Sequence, residues 1–499
     1  MAVAGSRVRR PEAPVASSCS PDVASGFTGR QGELDRLTQS LDAVRQEKRA
    51  GIVLVTGPRL VGKSRLVTEF LHRAALPHVY FTAGGGRPAD ALAAFAAEVR
   101  ASTLPAAGRT PPRGTPPGWE MALIGLAGLL PADTPSAVVL DEVPALVRRD
   151  PGFGPALRQA VDVLSRLPVL LVLIGADAEV MAALGRQIDP LGSRVPTVPV
   201  RPWNPAQIAA RLGLPAAEAI DAYLVSGGLP PVLAEWPHGA GVWDHLPHAL
   251  HPRSALLVSG ERACAAEWPA VVQPRTVLAA IGQGKTSFTE IGRASGGLHP
   301  GSLFKALDPL VSRRLVRAEL PLSARISRET RYRVEDPYLH LWLAFLRPSI
   351  PAVERGRADL ALAAVRDGWN AWRRRALVPV VRDALLRLGE DRLPGETAAV
   401  GGYWTRSRSG VDLVGADRML PARRITFLGS VKWAEDTPFD AGDLACLNHG
   451  RGYVPGAGAS TSLFAVSRSG CTASGVTCLE PEDLVHAWAA HPEPATPTP

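Results

Sequence analysis

The stretch VLVTGPRLVGKSRLV, from Val53 to Val67, constrains this chain more than any other feature. A short apolar, β-branched run leads into a loop of the form Gly-x-x-x-x-Gly-Lys-Ser, and helical apolar spacing follows from Lys63 to Ala75. Glycines at these positions let backbone N–H groups wrap phosphate oxygens, and the N-terminus of the following helix adds its dipole. The pattern therefore predicts a phosphate-binding loop between a strand and a helix.

The residue types in this loop suit particular chemical roles. We expect the ammonium group of Lys63 to reach the terminal phosphates and the hydroxyl of Ser64 to bind magnesium. Only five of the 55 basic residues are lysines, which fits the need for a compact ammonium group at this position. The predicted nucleotide-binding residues form one continuous run: Gly57, Pro58, Arg59, Leu60, Val61, Gly62, Lys63, Ser64 and Arg65.

A second strand signal supports the phosphate loop. The apolar residues from Ala137 to Leu140 predict a strand that ends at Asp141 and Glu142. A carboxylate at this place holds Mg²⁺ through water, and its neighbour orients the attacking water. We therefore expect Asp141 and Ser64 to bind the metal, and Glu142 to be catalytic. The alternative is a glycine turn beside a carboxylate pair that merely caps a helix.

Strand and helix signals alternate through the first 200 residues. Helical segments separate the strand signals, which lie at 51–56, 78–83, 137–140, 169–174 and 195–200. This alternation predicts an α/β fold in which helices cover both faces of a mostly parallel sheet. The apolar run from Leu167 to Gly175 is about half the length that a membrane span needs, so it predicts a buried strand.

Composition limits the class of protein. A length of 499 residues suits roughly three domains, and 46% hydrophobic with 20% charged residues is typical of globular proteins. Five cysteines without a Cys-x-x-Cys pair argue against a disulfide framework or a thiolate metal site, so we expect a reducing cytoplasm. Because the apolar run from Leu167 to Gly175 is too short for a membrane span, we expect no membrane partner. The net charge of +8 favours an acidic partner only weakly. Residues 1–25 and 491–499 have the composition of disordered tails.

Two further motifs give a resemblance to a known family. The segment Gly26-Phe27-Thr28-Gly29-Arg30, with Glu33-Leu34, resembles an F-x-G-R-x-x-E-L motif that precedes the first strand. The segment Ser226-Gly227-Gly228-Leu229-Pro230 resembles the Gly-Gly-x-Pro turn of a helical lid. With the phosphate loop, they make the chain similar to archaeal-type ATPases of the AAA+/STAND group, in which a P-loop ATPase precedes a winged helix and a restriction-endonuclease-like (PD-(D/E)xK) tail.

The resemblance implies a division of the chain, with ATP and Mg²⁺ as cofactors. The implied parts are a P-loop ATPase core at 26–203, a helical lid at 204–268, a winged helix at 269–348 and a small α/β nuclease-like domain at 365–490. It also implies that Arg194 stabilises charge in the transition state of hydrolysis, although a surface cation is an equal alternative. Gly175-Ala176-Asp177 replaces the family's Gly-Ser, whose hydroxyl senses the γ-phosphate, so we expect slow hydrolysis.

The middle of the chain has the spacing of a helix-turn-helix. A helix is predicted from Phe288, a turn at Gly296–Pro300, a second helix at Ser302–Arg314, and two strands at Leu315–Leu320 and Tyr332–Val334. Both DNA binding and protein docking suit such a module. A basic stripe on one face would favour DNA, and dispersed charges would favour protein partners or self-association; the residues concerned are Lys305, Arg313, Arg314 and Arg317.

The C-terminal part resembles a nuclease site that has lost one ligand. Such sites place a carboxylate on one strand and Glu-x-Lys on the next, so that two carboxylates bind Mg²⁺. Asp412 and Lys432 match this layout, but Ser430 occupies the place of the glutamate. We therefore expect no cleavage unless Asp417 or Glu435 supplies the missing carboxylate. An ion pair of Lys432 with Asp412 is the structural alternative.

Overall fold

The computed structural model of the chain describes residue 27 and residues 29–104, 114–189, 195–267, 272–389, 392–406 and 410–491, without the side chains of 263–267 and 272. The predicted tails, apart from His491, lie outside these residues. Two compact units are present. One comprises the described residues up to Leu54 with Ser64–Ile174 and Leu184–Val198, and the other comprises Val55–Lys63, Gly175–Ala183 and the chain from Pro199 onward.

The chain up to Pro199 alternates strands and helices, as the sequence predicts. Its strands are β1 Gly51–Thr56, β2 His78–Thr82, β3 Ser136–Asp141, β4 Val169–Gly175 and β5 Thr197–Pro199. Its helices are α1 Gln31–Glu47, α2 Lys63–Ala74, α3 Pro88–Ala101, α4 Trp119–Ala127, α5 Val143–Arg149, α6 Phe153–Leu164 and α7 Ala178–Ile188. The strands form a parallel sheet in the order β2-β3-β4-β1-β5, which confirms the α/β class.

Burial along the central strands explains their composition. Every residue of β3 and β4 is buried; β4 is a continuous apolar run, and β3 is apolar between Ser136 and Asp141 at its two ends. Such runs occur where helices cover both faces of a parallel sheet. The expectation that the run from Leu167 to Gly175 forms a buried strand is confirmed. The register places Thr82 of β2 opposite Asp141, so the polar residues lie where the strands end.

Five helices follow, in the segment predicted as a lid: α8 Pro205–Leu212, α9 Ala216–Ser226, α10 Pro230–Ala234, α11 Val242–Ala249 and α12 Ala255–Glu267. Asn204 caps α8 in a reciprocal pair with Gln207, which satisfies two backbone N–H groups. The turn between α9 and α10 needs glycine, because Gly227 and Gly228 have φ of 59° and 69°. A Cβ on Gly228 would also lie 2.0 Å from the carbonyl oxygen of Trp203.

Residues 272–334 form three helices and a two-stranded antiparallel ribbon. The elements are α13 Val272–Gly282, α14 Phe288–Ala294, α15 Pro300–Ser312, β6 Val316–Glu319 and β7 Arg331–Val334. Ser287 caps α14 through a reciprocal pair with Glu290 and also bridges to Arg331 of β7. Helix α15 starts two residues earlier than predicted because Pro300 suits a first helical turn. The chain leaves α15 at Arg314, whose φ is 57°.

A helical segment leads to the last part of the chain. It contains α16 Pro337–Leu341, a π-helical turn at Trp342–Leu346, α17 Arg347–Glu354 and α18 Ala358–Leu385. Trp342 is buried and its indole N–H donates to the carbonyl of Leu257, so this aromatic side chain belongs to the core. The predicted start of the nuclease-like domain, residue 365, lies inside α18.

The C-terminal sheet has the strand order β12-β11-β10-β9-β8. Its elements are β8 Ala399–Tyr403, β9 Val411–Ala416, β10 Ile425–Lys432, α19 Ala441–Arg451, β11 Ser462–Ser467, β12 Thr477–Leu479 and α20 Pro481–Ala490. Strands β8, β9 and β10 are antiparallel neighbours, whereas β10, β11 and β12 run parallel. Helix α19 connects β10 to β11, as a parallel pair requires.

A buried ion cluster joins separate segments of the second unit. The carboxylate of Asp221, on α9, accepts hydrogen bonds from Arg373 at 3.2 Å, Arg468 at 2.5 Å and the indole of Trp433 at 3.2 Å. Arg373, on α18, also donates to Glu435 at 2.6 Å. Asp221 and Arg373 are 5% and 4% exposed, so each charge is compensated away from water.

In the described chain, no helix is long and apolar enough to cross a membrane.

Candidate functional site

The phosphate loop has the backbone that its glycines predict. Gly57 and Gly62 have φ of 143° and 92°, and Leu60 is also left-handed with φ of 65°. A Cβ on Gly57 would lie 1.9 Å from the carbonyl oxygen of Val200, so a side chain is excluded there. Lys63 is 7% exposed, and its ammonium group donates to the carbonyl oxygens of Gly57 at 3.0 Å and Pro58 at 2.7 Å. Carbonyl groups of the loop therefore hold the ammonium group of Lys63.

Three side chains and a backbone amide meet where β3 ends. The hydroxyl of Ser64 donates to Oδ2 of Asp141 at 2.5 Å, although 77 residues separate them. The hydroxyl of Tyr80, on β2, donates to the same oxygen at 3.0 Å, and the amide of Glu142 donates to Oδ1 at 2.7 Å. Asp141 is 4% exposed, and these three donors satisfy its buried oxygens. Ser64 and Asp141, the two residues expected at the metal, are thus hydrogen-bonded neighbours, and Tyr80 is a partner that the sequence does not reveal.

Glu142 has an unusual backbone. Its φ of 57° and ψ of 36° put it in the left-handed region, just before α5 begins at Val143. Such a conformation costs about 1–3 kcal/mol for a residue with a side chain. The bond from its amide to Asp141 helps to hold it there. This strained junction turns the chain sharply between the strand and the helix, and so it fixes where the Glu142 side chain emerges.

The donor set fits Mg²⁺ and a nucleoside triphosphate. Hydroxyl and carboxylate oxygens are the hard ligands that Mg²⁺ prefers, and Ser64 and Asp141 supply one of each. When bound, the ion supplies positive charge that offsets the charge on the phosphate oxygens. Lys63 would move its ammonium from the loop carbonyls to the terminal phosphates, and Glu142 would orient the attacking water.

Asp177 and Arg194 are the two residues that bear on the predicted rate of hydrolysis. Asp177, in the place of the family's sensor hydroxyl, accepts a hydrogen bond from the amide of Val180 at 3.1 Å, so it caps the first turn of α7. This capping gives a structural reason for an aspartate at that position. Arg194, the candidate for stabilising transition-state charge, lies outside the described residues.

The glycine turn of the lid lies beside the phosphate loop. A Cβ on Gly62 would lie 3.8 Å from Cγ of Pro230, the last residue of the Gly-Gly-x-Pro motif. On its other side, a Cβ on Gly227 would lie 2.7 Å from Cβ of Tyr338 and 3.1 Å from Oδ1 of Asp336. The turn therefore lies beside both the phosphate loop and the chain that follows β7.

The C-terminal site differs from the sequence expectation. The ammonium group of Lys432 contacts Asp443 at 2.5 Å and Asp440 at 3.7 Å, so the alternative interpretation of this lysine, an ion pair with Asp412, is wrong. The pairing differs because α19 begins just after β10 and brings Asp440 and Asp443 to the end of that strand. Asp412 instead accepts a hydrogen bond from the amide of Val431 at 3.3 Å. Both neighbours raise the pKa of Lys432, chiefly through its hydrogen bond to Asp443.

The two carboxylates considered as substitutes are engaged elsewhere. Asp417 accepts hydrogen bonds from the amides of Arg423 and Arg424, both at 3.0 Å, in the connection between β9 and β10. These backbone bonds lower the pKa of Asp417. Glu435 is held by Arg373 in the buried ion cluster. Within the described residues, no group of three histidine, cysteine or acidic side chains is arranged to hold a metal ion.

Comparisons with known proteins find an ATPase domain in the first part of the chain. Residues 26–173 match the AAA ATPase domain family. An uncharacterized protein of Methanocaldococcus jannaschii is 21% identical over 397 residues, which are 78% of this chain and 84% of that protein. A Walker-type ATPase of Pyrococcus abyssi is 18% identical with a TM-score of 0.44, covering 64% of this chain and 96% of its own. The Aeropyrum pernix ORC1 protein, solved in complex with DNA, is 16% identical with a TM-score of 0.39, covering 66% and 96%.

The chain therefore carries an AAA ATPase domain, and it is an ATPase of the P-loop class. The matched range contains the phosphate loop and the strand that ends at Asp141.

Proposed function

We propose that the chain is an ATP-dependent switch, in which the bound nucleotide controls nucleic-acid binding by a winged helix and an inactive nuclease-like domain. The single observation that carries the gating is the position of the lid turn. On one side Pro230 lies beside Gly62 of the phosphate loop, and on the other side Gly227 lies beside Asp336 and Tyr338. When the phosphate loop closes on ATP, it displaces this turn. Asp336 and Tyr338 move with the turn, because closely packed residues transmit small shifts to their neighbours.

The elements at 272–334 support the assignment of a winged helix. Three helices precede an antiparallel ribbon, and the bridge from Ser287 to Arg331 adds a third strand position. Lys305, Arg313 and Arg314 are exposed at α15 and its end, where they are accessible to the phosphates of a duplex. Arg317 is also exposed but lies 3.7 Å from Glu335, so its charge is partly compensated.

The elements at 358–479 support the assignment of a nuclease-like domain. A long helix, three antiparallel strands, a helix and two parallel strands follow one another along this segment. Its cleavage site lacks the second carboxylate, because Ser430 lies two residues before Lys432 on β10. We infer that the domain positions nucleic acid and does not cut it.

The test measures duplex DNA binding by fluorescence anisotropy. The Glu142→Gln variant is compared with ATP and without nucleotide, and we expect affinities that differ at least about tenfold, or 1.4 kcal/mol. A Lys305/Arg313/Arg314 triple alanine variant should bind more weakly and with a shallower dependence on salt, by up to about 0.9 in the slope for each phosphate that is no longer neutralised. The matched control removes one lysine and two arginines at the exposed end of α1: Lys48, Arg45 and Arg49. Equal affinity with and without ATP would refute the gating, and equal weakening in both triples would refute the winged-helix contact.

A second candidate function is an ATP-dependent scaffold that binds proteins rather than DNA. One observation favours it: Phe304, on α15 next to Lys305, is 66% exposed. A large exposed aromatic side chain is typical of protein-binding surfaces. Pull-down and light-scattering measurements with and without ATP distinguish the two functions. If Phe304→Ser abolishes protein capture or self-association while DNA affinity is nil in every sample, the scaffold function is favoured.

A further inference from the structure

A cavity of about 670 Å³ lies inside the second unit, away from the phosphate loop residues. The ribbon of β6 and β7 forms one wall and α18 forms another. The third wall is the edge of the C-terminal sheet, with Tyr403, Trp404 and Asp412. The volume is within the range of about 300–1,000 Å³ that small-molecule sites occupy.

The lining of this cavity is rich in arginine. It contains four carboxylates, those of Glu319, Glu335, Asp383 and Asp412, and six guanidinium groups, those of Arg317, Arg331, Arg333, Arg374, Arg375 and Arg382. Guanidinium groups therefore outnumber the carboxylates. Such an excess in a concave site raises the local concentration of anions.

Some of these arginines have a structural partner. Glu319 receives Arg333 at 2.7 Å and Arg382 at 3.2 Å, and Arg382 also donates to the carbonyl oxygen of Asp412. Arg374 lies 3.9 Å from the Asp412 carboxylate. The charges of these arginines are therefore at least partly compensated by carboxylates that line the same cavity.

Arg331 and Arg375 differ from the others. Within the described part of the chain, neither forms an ion pair with a carboxylate; Glu290, which attracts Arg331 at longer range, is itself bonded to Ser287. Burial lowers the pKa of both guanidinium groups. Arg331 is half-buried and Arg375 is exposed, so an anionic ligand in the cavity that reaches both guanidinium groups would be stabilising.

Arg331 also lies beside a planar aromatic group. The guanidinium of Arg331 lies 4.9 Å from the centre of the Trp404 ring, and the Trp404 indole N–H is fixed by the carbonyl of Glu329 at 2.7 Å. Tyr332 and Tyr403 also line the cavity. Arginine and aromatic faces together accept a planar base by stacking, while guanidinium forks bind phosphate oxygens.

We propose that this cavity binds a nucleoside phosphate, with Arg331 and Arg375 on the phosphate and the half-buried rings of Tyr332 and Tyr403 against the base. The ligand is either a free nucleotide or the phosphorylated end of a nucleic-acid strand, since the two share this chemistry. This site is separate from the phosphate loop and from α15, so the proposal does not depend on the gating function.

The test is isothermal titration of the full-length Lys63→Ala protein, in which the phosphate loop cannot capture the probe. The probes are AMP, inorganic phosphate and a 5′-phosphorylated thymidine tetranucleotide. Arg331→Ala and Arg375→Ala are each combined with this background. The matched control is Arg366→Ala, because Arg366 is an exposed arginine of the same helix α18 that does not line the cavity. Melting temperatures confirm that each variant is folded.

We expect AMP or the tetranucleotide to bind more tightly than inorganic phosphate, since phosphate alone gains no stacking. Arg331→Ala and Arg375→Ala should each weaken that binding about tenfold or more, as removal of a charged hydrogen bond predicts, and Arg366→Ala should not. Tighter binding of AMP identifies a free nucleotide, and tighter binding of the tetranucleotide identifies a strand end. No binding at millimolar probe, or affinity unchanged in both cavity variants of folded protein, would overturn the proposal.

Discussion

Replacement of Asp141 by asparagine tests the metal site most directly. The substitution keeps the shape of the side chain but removes its charge, and an amide NH₂ takes the place of one of the two carboxylate oxygens. Oδ2 receives both Ser64 and Tyr80, and Oδ1 receives the amide of Glu142. Hydrogen bonds to a charged group contribute about 1.5–3 kcal/mol, against about 0.5–1.5 for neutral ones, so two weakened hydroxyl bonds reduce stability by about 2 kcal/mol.

The effect on nucleotide binding separates this role from general damage. Because the charge that attracts the ion is gone, Mg²⁺ should improve ATP affinity much less in Asp141→Asn than in the wild type, a reduction of about tenfold or more. ATP affinity in EDTA should be nearly unchanged. Asp133→Asn, an exposed aspartate just before β3, is the matched control. Both affinities are measured with a fluorescent ATP analogue. If Asp141→Asn retained the full Mg²⁺ dependence and turnover, the assignment of Asp141 to the metal would be refuted.

Three further outcomes are expected. Lys63→Ala should abolish ATP binding in the same assay, whereas Glu142→Gln should bind ATP and lose turnover because the water loses its orienting carboxylate; equal phosphate release by wild type and Glu142→Gln would contradict this. Incubation of supercoiled plasmid with Mg²⁺ or Mn²⁺ should give no nicking, and nicking that both Asp412→Ala and Lys432→Ala remove would show an active nuclease. Burial lowers the pKa of His245 to about 4, whereas the ordinary value is about 6.5. Between about pH 4 and about pH 6.5 the folded state therefore binds fewer protons than the unfolded state. Stability should therefore fall by about 3 kcal/mol as the pH drops through this window, and His245→Phe should flatten that part of the urea-unfolding profile.

Local patterns predicted the fold of the first part of the chain well. The phosphate loop, the strand before it and the helix after it all follow from short-range rules: β-branched residues favour a strand, glycines permit positive φ, and apolar spacing favours a helix. The same holds for β4, whose seven apolar residues are too few to span a membrane and are all buried. These features need no knowledge of distant residues.

Side-chain partners across the sheet were harder to predict. Tyr80 reaches Asp141 because β2 and β3 are neighbours in register, and strand order is not written in either strand. Lys432 is paired with Asp443 for a similar reason, since the start of α19 decides which carboxylate comes near. A cation in a lysine-poor chain indicates a role for that residue but does not identify its partner.

The ion cluster around Asp221 has a consequence for how the second unit opens. Separating α9 from α18, or either from the connection after β10, would leave Asp221 or Arg373 without its partner while still shielded from water, a cost of several kcal/mol. Partial openings that break one of these ion pairs are therefore less favourable than opening of the whole group. Amide hydrogens of these three segments are expected to exchange with solvent at one common free energy, as a single cooperative unit.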